Sequence, residues 1–198
     1  ASPDSKNTQD GELIGGFDAR GKAVQAIGTV GMKDRNGKYG FFCSATLIGP
    51  KTVLTAKHCA IVLGGPLGGM KLVNLVPIYF AFGAEANQPE RLVEAVAADL
   101  SPVNLGGFVG LGNDVAVYHL AEAINDIAPM AVADVALQST DVGQAFASVG
   151  YGSQDNYEDI SGNLSATRKA GRTTLRALEG KSFELMLGSY EAFLEQML

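Results

Sequence analysis

Short apolar runs separated by glycine, asparagine, aspartate or proline follow one another along most of the chain. From residue 24 onward these runs are rich in β-branched and aromatic residues, which favour strands over helices. The predicted strands cover Val24–Val30, Tyr39–Ile48, Lys51–Ala56, Val76–Phe82, Arg91–Ala97, Asp114–Leu120, Gln144–Tyr151, Arg172–Leu178 and Ser182–Leu187. Many short strands at this spacing predict an all-β protein, either a sandwich or a barrel.

Turn and helix signals complete this pattern. Asp34-Arg-Asn-Gly37 lies between two apolar runs, and Asn-Gly favours the tight turn of a β-hairpin. Residues Ala121–Leu137 are alanine-rich and offer a helical alternative, which Pro129 weakens. The stretch Tyr190–Leu198 predicts a short helix with its apolar and acidic residues on different faces.

Composition and charge exclude several classes of protein. The chain has 198 residues, of which 46% are hydrophobic and 18% charged, so it is globular and long enough to bury a core. Its net charge of −6 and the lack of a basic stripe argue against nucleic acid as a partner. The sequence contains no run of about 18 or more apolar residues, so it predicts no membrane-spanning helix. Residues 1–12 are polar, as expected of a chain whose export signal has been removed.

The two cysteines, Cys43 and Cys59, are 16 positions apart. If they are paired, the disulfide closes a loop worth about 3 kcal/mol in the chain-entropy model and requires an oxidising compartment. If they are not, they are two buried thiols, and their number alone does not distinguish these cases.

One of the two histidines lies in a setting that suits a general base. His58 follows the β run that ends at Ala56 and directly precedes Cys59, so a disulfide there would hold the imidazole at the end of a strand. A general base needs a side chain with a pKa near neutrality and one fixed orientation. The alternative is a buried histidine whose ring nitrogens bind backbone groups.

The residues around this histidine match a known pattern. Phe42-Cys-Ser-Ala-Thr-Leu-Ile48 and Val53-Leu-Thr-Ala-Lys-His-Cys59 resemble the histidine block of the chymotrypsin/trypsin family of serine proteases, F-C-G-G-x-L-I followed by V-L-T-A-A-H-C. The departures are Ser44-Ala45 for two glycines and Lys57 for an alanine.

Three further blocks resemble the same family and occur in the same order. Leu13-Ile-Gly-Gly-Phe-Asp-Ala19 is similar to the mature amino terminus I-V-G-G-x-x-A, and Asn113-Asp-Val-Ala-Val-Tyr-His-Leu120 to the aspartate block N-D-I-A-L-L-x-L. Val149-Gly-Tyr-Gly152 is similar to V-x-G-W-G, which opens the second barrel. Together the blocks cover the chain from residue 13 to about residue 152.

The resemblance implies a fold and a site. It implies two antiparallel six-stranded Greek-key β-barrels, with a pro-segment over residues 1–12, the first barrel over 13–125 and part of a second, incomplete barrel over 126–198. It implies that Cys43 and Cys59 form a disulfide, that His58 is the general base and that Asp114 orients its ring. His119, five residues further on, is expected to face solvent and receives no role.

The nucleophile that this family needs does not occur among the 198 residues. No G-D-S-G-G-P block is present, and Ser153 and Ser189 lie in unsuitable contexts. The expectation is a serine on a companion C-terminal chain, and a zymogen that is activated when cleavage after Glu12 frees Leu13. The substrate would be a protein or peptide, the location secreted or periplasmic, and no cofactor or metal is expected.

Two alternatives stay open at this point. The chain could be a catalytically inactive relative that uses the barrel surface for binding, although retention of both His58 and Asp114 argues against it. Alternatively, Cys43 or Cys59 could be a thiol nucleophile beside the histidine, which the disulfide pattern makes the weaker interpretation.

Overall fold

A computed structural model of the chain describes residues 16–62, 70–102, 114–152 and 167–176, together with residue 178. These residues form strands and four short 3-10 turns, and they contain no α-helix. The strands are β1 (Phe17–Asp18), β2 (Ile27–Lys33), β3 (Tyr39–Gly49), β4 (Thr52–Thr55), β5 (Ile61–Val62), β6 (Met70–Lys71), β7 (Ile78–Phe82), β8 (Arg91–Leu100), β9 (Ala116–Leu120), β10 (Ala145–Gly150) and β11 (Lys169–Thr174). The 3-10 turns are Lys22–Val24, Lys57–Cys59, Leu72–Asn74 and Ser139–Asp141.

Six strands close into one antiparallel barrel in the order β2-β3-β4-β9-β8-β7. Strand β2 pairs with β3 on one side and with β7 on the other, so this sheet has no free edge. Strands β1, β11 and β10 form a separate sheet in that order, and β5 pairs with β6. The predicted all-β fold with a closed barrel is confirmed, and the second barrel is incomplete.

The barrel interior is filled by alternate residues of its strands. In β9 the side chains of Ala116, Tyr118 and Leu120 are buried, whereas the two residues between them are partly exposed. In β8 this alternation breaks at a bulge between Ala95 and Ala97, which puts two successive residues on the outer face. The core residues with the largest fully buried side chains include Tyr118, Phe80, Leu47, Ile78, Val30, Val53 and Val93.

The predicted hairpin between β2 and β3 is present. Gly37 has φ +84°, a conformation that residues with a Cβ rarely adopt. The Asp34 carboxylate accepts hydrogen bonds from the backbone N–H groups of Asn36 and Lys38, at 2.9 and 2.8 Å. The aspartate and the glycine of the sequence motif therefore each satisfy a separate requirement of this turn.

Two predicted strands are displaced in the structure. β2 begins at Ile27 and not at residue 24, because Lys22–Val24 form a 3-10 turn. β11 covers Lys169–Thr174, three residues earlier than predicted at its start. The helical alternative for residues 121–137 is wrong, since this segment has irregular structure. The predicted strand 182–187 and the predicted helix 190–198 lie outside the described residues.

Spatial proximity divides the chain into two compact units. Ala1–Ala131 with Val149–Ala170 make up the first, which contains the whole barrel, and Val132–Ser148 with Gly171–Leu198 make up the second. The domain boundaries that the sequence predicts, after residues 12 and 125, stay predictions. Within the described part of the chain, no helix has the length and apolar character needed to cross a membrane.

Candidate active site

The turn that carries His58 follows strand β4 after a single residue, Ala56. Lys57–Cys59 form a 3-10 turn closed by two backbone hydrogen bonds, from the N–H of Cys59 to the carbonyl of Ala56 and from the N–H of Ala60 to that of Lys57. A disulfide joins Cys59 to Cys43 on β3, as the family resemblance implies. The turn is therefore attached covalently to a second strand of the barrel.

A buried tyrosine holds the same turn from inside the barrel. The Tyr118 hydroxyl donates a hydrogen bond of 3.0 Å to the carbonyl oxygen of Cys59. Burial raises the pKa of Tyr118 to about 12, so its hydroxyl keeps its proton at neutral pH. The sequence did not predict this contact. In a strand where apolar and polar residues alternate, a tyrosine is interpreted as a core residue with no role for its hydroxyl.

Asp114 contacts His58 through both of its carboxylate oxygens. Its Oδ2 lies 2.7 Å from the ring atom Nδ1, and its Oδ1 accepts the backbone N–H of His58 at 2.9 Å. The Asp114 side chain is 22% exposed and that of His58 is 51% exposed. The carboxylate is thus partly shielded, while the ring remains accessible to a second molecule.

The hydrogen bonds to Asp114 determine its charge. Partial burial raises the pKa of Asp114. The opposing effects together are larger and lower it: hydrogen bonds from the ring and backbone of His58, the charge attraction of His58, and a backbone contribution from Lys57. The net pKa lies below the ordinary value, so Asp114 is a carboxylate at neutral pH. A carboxylate on Nδ1 places the ring proton there, and Nε2 is then the basic atom of the ring.

Pairing of strands that are distant in sequence brings these two residues together. β4 pairs with β9 so that Thr55 lies opposite Ala116, three residues before His58 and two residues after Asp114. The N–H of Ser101, at the end of β8, donates to the carbonyl of Val115 at 2.9 Å. Residues 103–113, which connect β8 to Asp114, lie outside the described part of the chain.

Comparison with known protein families assigns most of the chain to one family. The family model described as Trypsin matches residues 13–175, most of the chain. The chain belongs to the trypsin family. No curated protein matches it significantly. A solved structure described as "Structure of GrC" superposes with a TM-score of 0.63 at 16% identity, covering 90% of this chain and 70% of that one. At 16% identity, the similarity to this solved structure supports the fold alone.

Other predicted site residues of this trypsin-family chain cannot be placed. Glu12, Leu13, Ser153 and Ser189 all lie outside the described residues. The catalytic roles of His58 and Asp114 likewise stay predictions, although the structure brings the two side chains together.

The other histidine forms a similar but separate pair. His119 Nε2 lies 2.7 Å from Asp99 Oδ2 on the neighbouring strand β8, and its side chain is 41% exposed. The hydrogen bond from His119 lowers the pKa of the Asp99 carboxyl and outweighs the opposing effect of desolvation. The trypsin-family sequence blocks give the His119–Asp99 pair no catalytic role. Variants of this pair can therefore serve as matched controls for variants of His58 and Asp114.

One set of possible metal ligands includes the candidate base. Ligand atoms of Cys43, His58 and Cys59 lie within 4.8 Å of one another. Both sulfurs are bonded to each other in the disulfide, and cysteine binds metals as a thiolate. These residues therefore offer a metal a single ring nitrogen while the disulfide is intact.

A segment that follows the first barrel packs onto its outer surface. The N–H of Tyr151 donates to the Ser44 hydroxyl oxygen at 2.8 Å, and the Tyr151 hydroxyl donates to the carbonyl of Gly83. Arg168 is buried and donates from Nε and Nη1 to the carbonyls of Ala19 and Ile27, at 2.8 Å each. Ser44, one of the departures from the family's histidine block, thus has a structural partner.

Proposed function

We propose that this chain carries the base and the orienting aspartate of a serine endopeptidase that hydrolyses peptide bonds in protein or peptide substrates. The observation that carries the proposal is the double contact of Asp114 with His58, at 2.7 Å to the ring and 2.9 Å to the backbone. In the trypsin family this arrangement belongs to a Ser-His-Asp triad.

The proposed roles follow from the chemistry of the pair. A serine hydroxyl attacks the carbonyl carbon of the substrate while Nε2 of His58 takes its proton, and His58 then gives that proton to the departing amine. Asp114 keeps the Nδ1 proton in place and stabilises the imidazolium that forms at each of these steps. The exposed half of the His58 ring gives the serine and the substrate access to it.

The proposal requires a serine that these 198 residues do not provide in the family's G-D-S-G-G-P context. We propose that it comes from a companion C-terminal chain of the same precursor. We further propose that the chain is a zymogen form, activated by cleavage between Glu12 and Leu13. The Cys43–Cys59 disulfide supports a secreted or periplasmic location, because such bonds persist in oxidising compartments.

A phosphonylating serine-protease probe tests the proposal on the natural polypeptide, with whatever its gene encodes after Leu198. The probe is applied before and after cleavage at Glu12. We expect covalent labelling of a serine in the cleaved form, loss of labelling in His58→Ala, and full labelling in the matched control His119→Ala.

Two results would contradict the proposal. If folded, cleaved protein is not labelled, the inactive binding protein becomes the better account. If labelling persists in His58→Ala, the serine reacts without the proposed base and the assignment of His58 is wrong.

A further inference from the structure

The lysine directly before His58 is buried. Lys57 is 5% exposed, and its Nζ donates a hydrogen bond to the carbonyl oxygen of Pro102 at 3.4 Å. Among the described residues, no carboxylate forms an ion pair with this ammonium. Burying an ammonium group is unfavourable unless its N–H groups find partners, and the carbonyl of Pro102 supplies one.

Lys57 links the two ends of the segment that leads to Asp114. Its side chain binds Pro102, which precedes residues 103–113, and the next residue, His58, donates its backbone N–H to Asp114, which follows them. Residues 103–113 contain no acidic residue that could pair with the ammonium. Lys57 thus connects the chain that follows β8 to the histidine turn, and this turn binds Asp114.

The geometry of the His58–Asp114 pair depends on the relative position of these three elements. Asp114 uses one oxygen for the ring of His58 and the other for its backbone N–H, so a small displacement of the aspartate weakens both hydrogen bonds. The end of β8 is also joined to this point by the β8–β9 ladder, in which Leu100 lies opposite Ala116, and by the hydrogen bond from the N–H of Ser101 to the carbonyl of Val115 at 2.9 Å.

We propose that Lys57 is a positioning residue for Asp114. Its ammonium group holds the carbonyl of Pro102 against the histidine turn, and this keeps the Asp114 carboxylate in reach of both N–H groups of His58. The role in catalysis rests on the proposed function, whereas the positioning itself does not. The competing interpretation is that the four-carbon stem of Lys57 merely fills space, in which case methionine would serve equally well.

Hydrogen exchange measured by NMR on the natural protein separates these interpretations. The readouts are the exchange rate of the His58 backbone amide and the signal of its Nδ1 proton. In Lys57→Met we expect exchange at His58 to be about fivefold faster, as for loss of one hydrogen bond, and the Nδ1 signal to broaden. Amides of the barrel core, such as those of Val30 and Phe80, should exchange as in the wild type.

Two further variants serve as controls. Lys57→Arg keeps a donor of sufficient length and should restore slow exchange. Lys51→Met removes another lysine whose Nζ donates to a backbone carbonyl, that of Ala121 at 3.0 Å, and should leave His58 unchanged. Wild-type exchange at His58 in Lys57→Met, or equal acceleration in Lys57→Arg, would overturn the proposal. If Lys57→Met does not fold, Lys57→Gln, whose amide is too short to reach Pro102, replaces it with the same expected outcomes.

The exchange measurement does not depend on turnover. If the wild type proves inactive, the proposed function fails while the role of Lys57 in placing Asp114 is still decided by exchange. In an active enzyme, the same displacement should lower kcat of Lys57→Met about fivefold with KM unchanged, because Lys57 is buried and acts through Asp114.

Discussion

At the residue scale, both carboxylate oxygens of Asp114 accept hydrogen bonds from His58. The free energy of unfolding therefore depends on whether Asp114 is ionised. Its pKa in the folded protein is below the ordinary value of about 4. A group whose pKa is lowered on folding stabilises the protein above its unfolded pKa, and this contribution is lost as the pH falls through its folded pKa.

The corresponding prediction concerns Asp114→Asn. Urea unfolding should show this variant to be less stable than the wild type from neutral pH down to about pH 4. Below that, the difference should shrink as Asp114 of the wild type takes up a proton. The matched control is Asp134→Asn, an exposed aspartate of the irregular segment. A difference in stability that is independent of pH would contradict the folded-state pKa of Asp114.

At the element scale, Gly28 allows β2 to pack closely on β7. A Cβ atom at this position would lie 2.3 Å from the carbonyl oxygen of Ala81 and 2.6 Å from the ring of Phe80. Since neither the backbone nor the buried ring can move freely, Gly28→Ala should destabilise the barrel by about 1–3 kcal/mol. Gly40→Ala, on β3 with no atom within 4 Å of its Cβ position, should be close to neutral. Equal effects of the two substitutions in denaturant unfolding would show that the packing is looser than described.

Local sequence patterns predicted the barrel strands well, because alternation and turn residues act over short distances. The hairpin at Asp34–Gly37 and the strands that follow it were therefore predictable. The start of β2 was not, because the apolar residues at 23 and 24 belong to a 3-10 turn that has no distinct pattern. The closeness of His58 and Asp114 also could not be derived locally, since it depends on the pairing of β4 with β9. Only the family resemblance predicted it.

The roles of Lys57 and Tyr118 show a different limit. Periodicity places Tyr118 correctly in the core but does not indicate that its hydroxyl binds Cys59. Lys57 appears in the sequence only as a departure from a family block, and its burial became evident once the turn and Pro102 were placed. Contacts between a side chain and a backbone carbonyl have no sequence signature, because any residue supplies the carbonyl.

At the scale of the whole molecule, the disulfide links the histidine turn to the sheet that surrounds the core. It closes the chain between positions 43 and 59, and a loop of this length is worth about 3 kcal/mol in the chain-entropy model. We expect the Cys43→Ala/Cys59→Ala double variant to lose about this amount in urea unfolding. A loss below about 1 kcal/mol would mean that the turn is held by its hydrogen bonds alone.

The central claim is that the His58–Asp114 pair performs peptide hydrolysis, and the turnover of matched aspartate variants tests it most directly. In the natural, processed protein, Asp114→Asn should lower kcat for a peptide substrate by roughly 10⁴-fold, because the asparagine favours the wrong tautomer of His58. Asp99→Asn, which alters the similar pair with His119, should retain kcat within about twofold, as expected of a surface pair. Equal activity of the two variants, or a large loss in Asp99→Asn alone, would contradict the account.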